Sequence, residues 1–329
     1  MTRRHNVLAP LAWIFTAVAV AFGSTIPAFA ATQTGGGNGY KISPVRTDLT
    51  IDPGTQKTID VYTQNVSSAV ENLQVVINDF QAGTDESGTP ALLLNGKQAP
   101  THSLKQYVLP TSNFTLEPGA QQDVKITIAI PANAVPGGYY GAVRFAPASV
   151  DASKNVTLSA SVASLVLVKV PGNIKEQVGI ASFDARVDDH VRSIFTSSKN
   201  ITAVVRFENK GDVQEEPFGK VILKKGNKQL ATYEVNNTDP RGNVLPGSIR
   251  KFSVKLTKVS SFGKYTLQGN FGYGSNGQLL SASTTFYVIP LWAIIVGIVV
   301  ILLIIAAIVL LPRKIRTYNR RVARKASRR

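Results

Sequence analysis

Outside the first thirty residues of the chain there are two histidines, and they are the first place to look for chemistry. His190 stands in "RVDDHVRS" beside Asp188 and Asp189, a grouping of imidazole and carboxylates that can ligate a metal. A metal site needs three or four convergent ligands, and the flanking residues add none, so the segment reads as a solvated polar turn. His102, in "APTHSLKQY", reads as a loop residue. "DESG", Asp85–Gly88, has calcium-loop composition but lacks the regular oxygen spacing and closing glutamate of such a loop, so a surface turn is expected. The chain has no cysteine and no Gly-x-Ser-x-Gly elbow. A serine nucleophile would need a paired base, and a hydrolase would need two carboxylates facing across a cleft. Gly35–Gly37 lie in a polar linker, not in a phosphate-cradling loop. No catalytic residue, metal or cofactor is therefore expected, and the protein is read as a non-enzyme.

Binding chemistry is the alternative. Tyr139 and Tyr140 in "PGGYYGAVRF", with Phe271 and Tyr273 in "NFGYG", are the candidate ligand-contacting residues, because aromatic faces can stack on sugar rings. The competing role is core filling. A strand's pleat sends neighbouring side chains to opposite faces, so one of Tyr139 and Tyr140 must point inward.

The elements that would carry these residues are strands. Between Tyr40 and Val288 alternation recurs over five to nine residues, punctuated by Gly, Pro, Asn and Asp, with no helical period. "KTIDVYTQN", "VKITIAI" and "FSVKL" alternate, whereas "NLQVVINDF" and "SLVLVKV" are more uniformly apolar, as strands covered on both faces should be. Three corners repeat a Pro-Gly pair: Pro53–Gly54, Pro118–Gly119 and Pro246–Gly247. Proline presets φ at a turn's second position and glycine accepts positive φ at the third, a type II signature. Gly226–Asn227 and Asn276–Gly277 read as hairpin turns. The expected fold is all-β: two immunoglobulin-like β-sandwiches in series over 40–172 and 178–288, joined by a linker at 173–177.

The ends add an address. Arg3 and Arg4, an apolar run and "AFA" at Ala28–Ala30 predict a signal peptide over 1–30, followed by a linker over 31–39. Residues 289–311 carry no charge and are long enough to span a bilayer as a transmembrane helix. The tail over 312–329 follows, and its last 17 residues hold nine Lys/Arg and no acid. Basic residues stay cytoplasmic, which predicts a single-pass protein with an extracellular body and a cytoplasmic tail on the anionic inner leaflet. Of the formal net charge of +16, the tail carries +9 and the signal +2, leaving +5 for the body. A body so weakly charged implies no nucleic-acid partner. The lack of disulfides in an exported body favours a bacterial cell surface.

The run "YKISPVRTDLTIDPGTQKTIDVYTQNVS", then "LQVVINDFQAGTDESG" and "IPANAVPGGYYGAVRF", resembles the N-terminal domain of the WxL-interacting proteins of Gram-positive bacteria. That resemblance implies a peptidoglycan-binding first domain, a second sandwich assigned to host binding, and a WxL-type surface protein as a partner. The "SPVR … PG … VYTQN" run is also similar to bacterial pilus-chaperone N-terminal domains. Two functions are thus expected in competition. One is adhesion to cell-wall glycan or a wall-associated surface protein. The other is a membrane-tethered, chaperone-like assembly factor that pairs a client strand with a sheet edge, for which the first sandwich should present a long unprotected edge.

Overall fold

The computed structural model describes residues 39–148 and 163–326, with side chains as far as Asn319. The signal peptide expected over 1–30 lies outside these residues, as does all but the last position of the linker expected over 31–39.

Nine strands build the first sandwich: β1 (Tyr40–Ser43), β2 (Arg46–Thr50), β3 (Gln56–Asn65), β4 (Glu71–Ala82), β5 (Pro90–Leu92), β6 (Phe114–Leu116), β7 (Gln121–Ala129), β8 (Gly137–Pro147) and β9 (Ala163–Val170). One sheet runs β1-β3-β7 and the other β2-β9-β8-β4, with β5 and β6 on the far side of β4. The chain changes sheets between Ser43 and Arg46, since β1 lies antiparallel to β3 and β2 parallel to β9. Alternation decides what is buried. Val61, Thr63 and Asn65 point inward from β3, and Val124, Ile126 and Ile128 from β7. They meet Leu73, Tyr139, Phe145, Val166 and Val168 from the facing sheet, each large apolar side chain contributing about 1.5–3 kcal/mol by its burial.

The second sandwich comprises β10 (Val178–Val187), β11 (His190–Val191), β12 (Ile194–Phe195), β13 (Thr202–Asn209), β14 (Phe218–Lys225), β15 (Lys228–Val235), β16 (Ile249–Lys255), β17 (Gly263–Tyr273) and β18 (Gln278–Val288). Its sheets run β11-β10-β13-β16 and β12-β18-β17-β14-β15. Along β17, Tyr265, Leu267, Phe271 and Tyr273 all face the core. Both expected hairpins form: Gly226 and Asn227 link Lys225 to Lys228, and Gly274–Gly277 link Tyr273 to Gln278. The expected all-β class is thus observed, with one helix at the C-terminal end.

All three corner glycines adopt positive φ, 78° at Gly54, 77° at Gly119 and 69° at Gly247. Two of the corners are locked onto a buried asparagine by the same set of bonds. Asn65 closes β3, and its Nδ2 donates to Ala69 O at 2.7 Å and Leu116 O at 3.1 Å, while its Oδ1 accepts from Ser67 N at 2.9 Å. Asn209 closes β13 and does the same with Val213 O at 2.7 Å, Val244 O at 2.8 Å and Gly211 N at 2.8 Å. The corner answers through the backbone: Gly119 N donates to Asn65 O and Gly247 N to Asn209 O, both at 2.9 Å. Both asparagines are fully buried, a placement that only complete hydrogen bonding makes tolerable. The repeated corner is therefore one latch used once in each sandwich.

The two sandwiches meet over an apolar patch. Leu245, beside the third corner, packs with Phe80, Ala142 and Leu167 of the first sandwich. Polar contacts surround it: Arg46 pairs with Glu216 and donates to Arg241 O, and Gly138 N donates to Asp212 O at 2.9 Å. This contact explains the continuous apolar run of β9 from Leu165 to Val168. Val166 and Val168 fill the first core, and Leu167 is covered from the other side.

After Val288 the sheet pattern persists to Ile289, whose N–H donates to Phe195 O at 2.8 Å. The helix α1 (Leu291–Ala326) therefore begins two residues later than the expected span and runs on through Pro312 into the basic tail. Proline removes one main-chain donor, and the Lys/Arg-rich residues beyond it favour helix. One helical stretch among the described residues, Leu291–Asn319, is long and apolar enough to cross a membrane.

Candidate strand-pairing edge

The residues singled out for chemistry do not converge. Asp188 and Asp189 form a left-handed turn, φ 50° and 62°, and Asp189 is taken up by Lys251 at 2.7 Å and Arg186 at 3.2 Å, while His190 stays exposed. His102 lies edge-on to Tyr139, ring centroids 4.9 Å apart. Among the described residues no group of three or more His, Cys, Asp or Glu could hold a metal. "DESG" is more than the solvated turn expected of it. Asp85 accepts from Ser87 N at 3.1 Å and shapes the tip, while Glu86 reaches across the junction to form a two-pronged ion pair with Arg206. Glu86 O also accepts from Lys251 N at 2.8 Å.

Three of the four aromatic candidates are interior, and Tyr140 is half-buried. Tyr139, Phe271 and Tyr273 are core residues, and Tyr139 donates its hydroxyl to Val135 O at 2.9 Å. The pleat sends Tyr140 the other way, as expected, but the second sandwich covers that face and Gln214 Oε1 accepts its hydroxyl at 3.1 Å. As placed, these rings offer no open stacking platform. Alternation told which residues share a face; it could not tell that a second domain would cover the outer one.

A cleft of about 780 Å³ opens at the junction, lined by Asp48, Lys169, Glu176, Glu215, Glu216 and Asp239 among others. It contains two carboxyls driven in opposite directions. Burial pushes Glu215 up to about 7, with the neighbouring charge of Glu176 adding to the effect. Burial also acts against ionisation of Glu176, but Lys169 and the hydroxyl and N–H of Ser275 outweigh it and hold Glu176 down to about 2. Such divergence is a mark of acid–base sites. Here the oxygens are occupied by structure: Glu215 Oε2 accepts from Gly274 N at 3.0 Å, and Glu176 accepts from Ser275 N at 2.8 Å and Lys169 at 2.7 Å. The pair braces the tip of the β17–β18 hairpin.

That hairpin leads to the most unusual surface in the molecule. A sheet edge presents unpaired N–H and C=O groups, and proteins blunt it with short strands, charges, bulges or covering segments. The first sandwich follows this rule. β1, β2, β5 and β6 have between three and five residues each. β7 carries Asp123 and Lys125, and Leu109 N caps Thr127 O at 2.9 Å. In the second sandwich β10 is bulged between Ile180 and Ser182, β15 carries Lys228 and Glu234, and β16 carries Arg250, Lys251 and Lys255.

β18, "QLLSASTTFYV", has none of these devices. It has no charge and no proline, and its register with β17 is unbroken from Gln278 to Val288. On its outer side β12 pairs only with Tyr287 and Val288. Among the described residues no strand pairs with the outer side of Gln278–Phe286, although β10 of the facing sheet packs close to β18. Ser281, Ser283 and Thr285 face solvent beside this edge, with Leu279 84% exposed, while Leu280 and Phe286 face the core. The open edge expected of the first sandwich thus belongs to the second. Alternating apolar and polar residues announced the strand; only the order of strands in the sheet reveals that one side of it is vacant.

No protein-family model matches the chain, and no curated protein matches it. Solved structures do match. The class 5 fimbriae chaperone CfaA is 13% identical, over 77% of this chain and 100% of its own, with a TM-score of 0.35. A chain of the chaperone–tip adhesin complex of CFA/I fimbriae biogenesis is 12% identical, over 77% and 99%, with a TM-score of 0.37. The E. coli chaperone DraB is 16% identical, over 76% and 97%, with a TM-score of 0.30. The pilus-chaperone resemblance has its counterpart in these neighbours, and the WxL-interacting resemblance finds no support in them.

Proposed function

We propose that this protein is a non-catalytic, membrane-tethered assembly factor that captures an extended segment of an exported protein by adding it to a sheet edge. The observation that carries this reading is the bare edge of β18 over Gln278–Phe286. Strand addition takes affinity from main-chain hydrogen bonds and specificity from alternate side chains. An uncharged strand with serine and threonine outward and Leu280, Ala282, Thr284 and Phe286 inward supplies both. In this reading α1 crosses the membrane, both sandwiches lie outside and the basic tail lies on the anionic inner leaflet. Adhesion to cell-wall glycan has less behind it, because Tyr139, Tyr140, Phe271 and Tyr273 are covered.

The test separates backbone from side-chain recognition. Full-length protein in detergent is titrated with a ten-residue peptide of alternating valine and threonine, and with the same peptide N-methylated at every residue. Strand addition predicts at least tenfold weaker binding of the methylated peptide, because its ladder donors are gone. Equal binding of the two peptides, or binding of purified cell-wall glycan in place of either, would refute the proposal.

A further inference from the structure

The end of the second sandwich from which α1 departs has a chemistry of its own. Val288 lies opposite Gly263, and only Ile289 and Pro290 separate it from the first residue of the helix. Register carries this end across the sheet: Lys264 lies opposite Tyr287, Lys224 opposite Thr266, and Lys225 opposite Lys228. The loop from β16 to β17 returns to the same end, tied down by Lys225 Nζ, which donates to Phe262 O at 2.9 Å. Lys225, Lys228, Lys255, Lys258 and Lys264 are all exposed there, and none is paired to a carboxylate among the described residues.

Among the described residues acids are almost missing from this end. Asp188 and Asp189 are the carboxylates that reach it, and Asp189 is already held by Arg186 and Lys251. The carboxylates of Glu176, Glu215, Glu216 and Asp239 gather at the opposite end, in the junction cleft. Between the lysines, large apolar side chains stand out into solvent: Phe262 is 57% exposed, Ile194 55% and Tyr287 38%. Basic residues around a few protruding aromatic and aliphatic groups form the pattern of a surface that lies on anionic lipid, the charges among headgroup phosphates and the apolar tips in the interface.

We propose that this end of the second sandwich docks on the anionic headgroups of the leaflet that α1 enters, so that the body is seated on the membrane and not merely strung from it. The inference rests on the reading of α1 as a membrane span, and it commits to lipid because the face is held beside the bilayer by two residues of chain.

The absence of cysteine allows single-site labelling of the intact protein. Ser261→Cys, next to Phe262, carries an environment-sensitive fluorophore in full-length protein in nanodiscs of either anionic phosphatidylglycerol mixtures or pure phosphatidylcholine. Ile301→Cys, at mid-span, is read with deep-brominated lipid and reports on the span, and Asn237→Cys reports on the far end. Docking predicts that the label at 261 is quenched by shallow brominated lipid in anionic discs. That quenching should fall at least twofold in neutral discs, in high salt, and when Lys225, Lys228, Lys258 and Lys264 are changed to Glu; the label at 237 should stay aqueous throughout. A quenched label at 301 with an unquenched label at 261 overturns docking and leaves the span intact. An unquenched label at 301 overturns both. Quenching at 261 that ignores lipid charge and the four substitutions overturns the recognition of anionic headgroups.

Discussion

The two sandwiches are closed by the same latch and differ at one edge. Asn65 and Asn209 each hold a Pro-Gly corner with the same three side-chain bonds. Yet the strands bordering the first sandwich are short, charged or capped, while among the described residues nine positions of β18 in the second have no pairing strand on one side. Closure and exposure are thus separable. A shared internal device keeps each fold shut, and the presence or absence of cheap surface devices decides which edge is left to pair.

The largest effect should come from breaking the latch. Asn65→Ala or Asn209→Ala strands buried carbonyls and an N–H that have no route to water, and should cost on the order of 2–4 kcal/mol each. Denaturant melts should show comparable losses from the two sites. A loss confined to one of them would mean that the corners are not equivalent.

Next comes the edge itself. Ser283→Lys with Thr285→Lys adds two exposed charges beside β18 without touching the core, and should weaken capture of the alternating peptide about tenfold, or about 1.4 kcal/mol. The same pair of lysines at Gln121 and Gln122 of β7, an edge already charged and capped, should leave capture unchanged. A peptide-binding isotherm reads both.

These residues also mark how far the chain could be read without coordinates. The strands and the three corners were legible because alternation, proline and glycine act locally. The partners of Asn65 and Asn209 were not, since a backbone carbonyl such as Leu116 O or Val244 O has no signature in sequence. The openness of β18 was equally hidden: it depends on β12 being two residues long and pairing only at Tyr287 and Val288. Glu86 looked like part of a surface turn, because its partner Arg206 lies 120 positions away in another domain. The tyrosine pair was half legible. The pleat fixed that Tyr139 and Tyr140 diverge, and the covering of Tyr140 came from long-range packing.

The junction should respond more mildly. Glu86→Ala removes a partly exposed two-pronged ion pair with Arg206 and should lower stability by about 1 kcal/mol. Scattering from the intact chain should show a wider spread of interdomain distances. An unchanged profile would assign the junction to the apolar patch around Leu245 alone.

The smallest effect concerns pH. Glu215 has its carboxyl raised to about 7 by burial, so the folded state holds a proton that the unfolded chain, near the ordinary glutamate value, has already released. Its contribution to stability is therefore full below that ordinary value and is lost as pH rises toward 7, with a slope of at most about 1.4 kcal/mol for each pH step of one. Glu176, held down to about 2, has the opposite sign: its contribution is present above the ordinary value and lost as pH falls through 2. Glu215→Gln should remove the loss between about pH 5 and 7 and leave the acid limb untouched. Stability measured from strongly acidic to mildly alkaline pH on both proteins tests the assignment.

The most direct measurement is amide hydrogen exchange along β18 in full-length protein. With one side of the strand paired to β17 and the other vacant, alternate amides between Gln278 and Phe286 should exchange quickly in the free chain and slow sharply when the alternating peptide is added. Uniform protection along β18 before any peptide is present, or fast amides that stay fast at saturating peptide, would contradict the account.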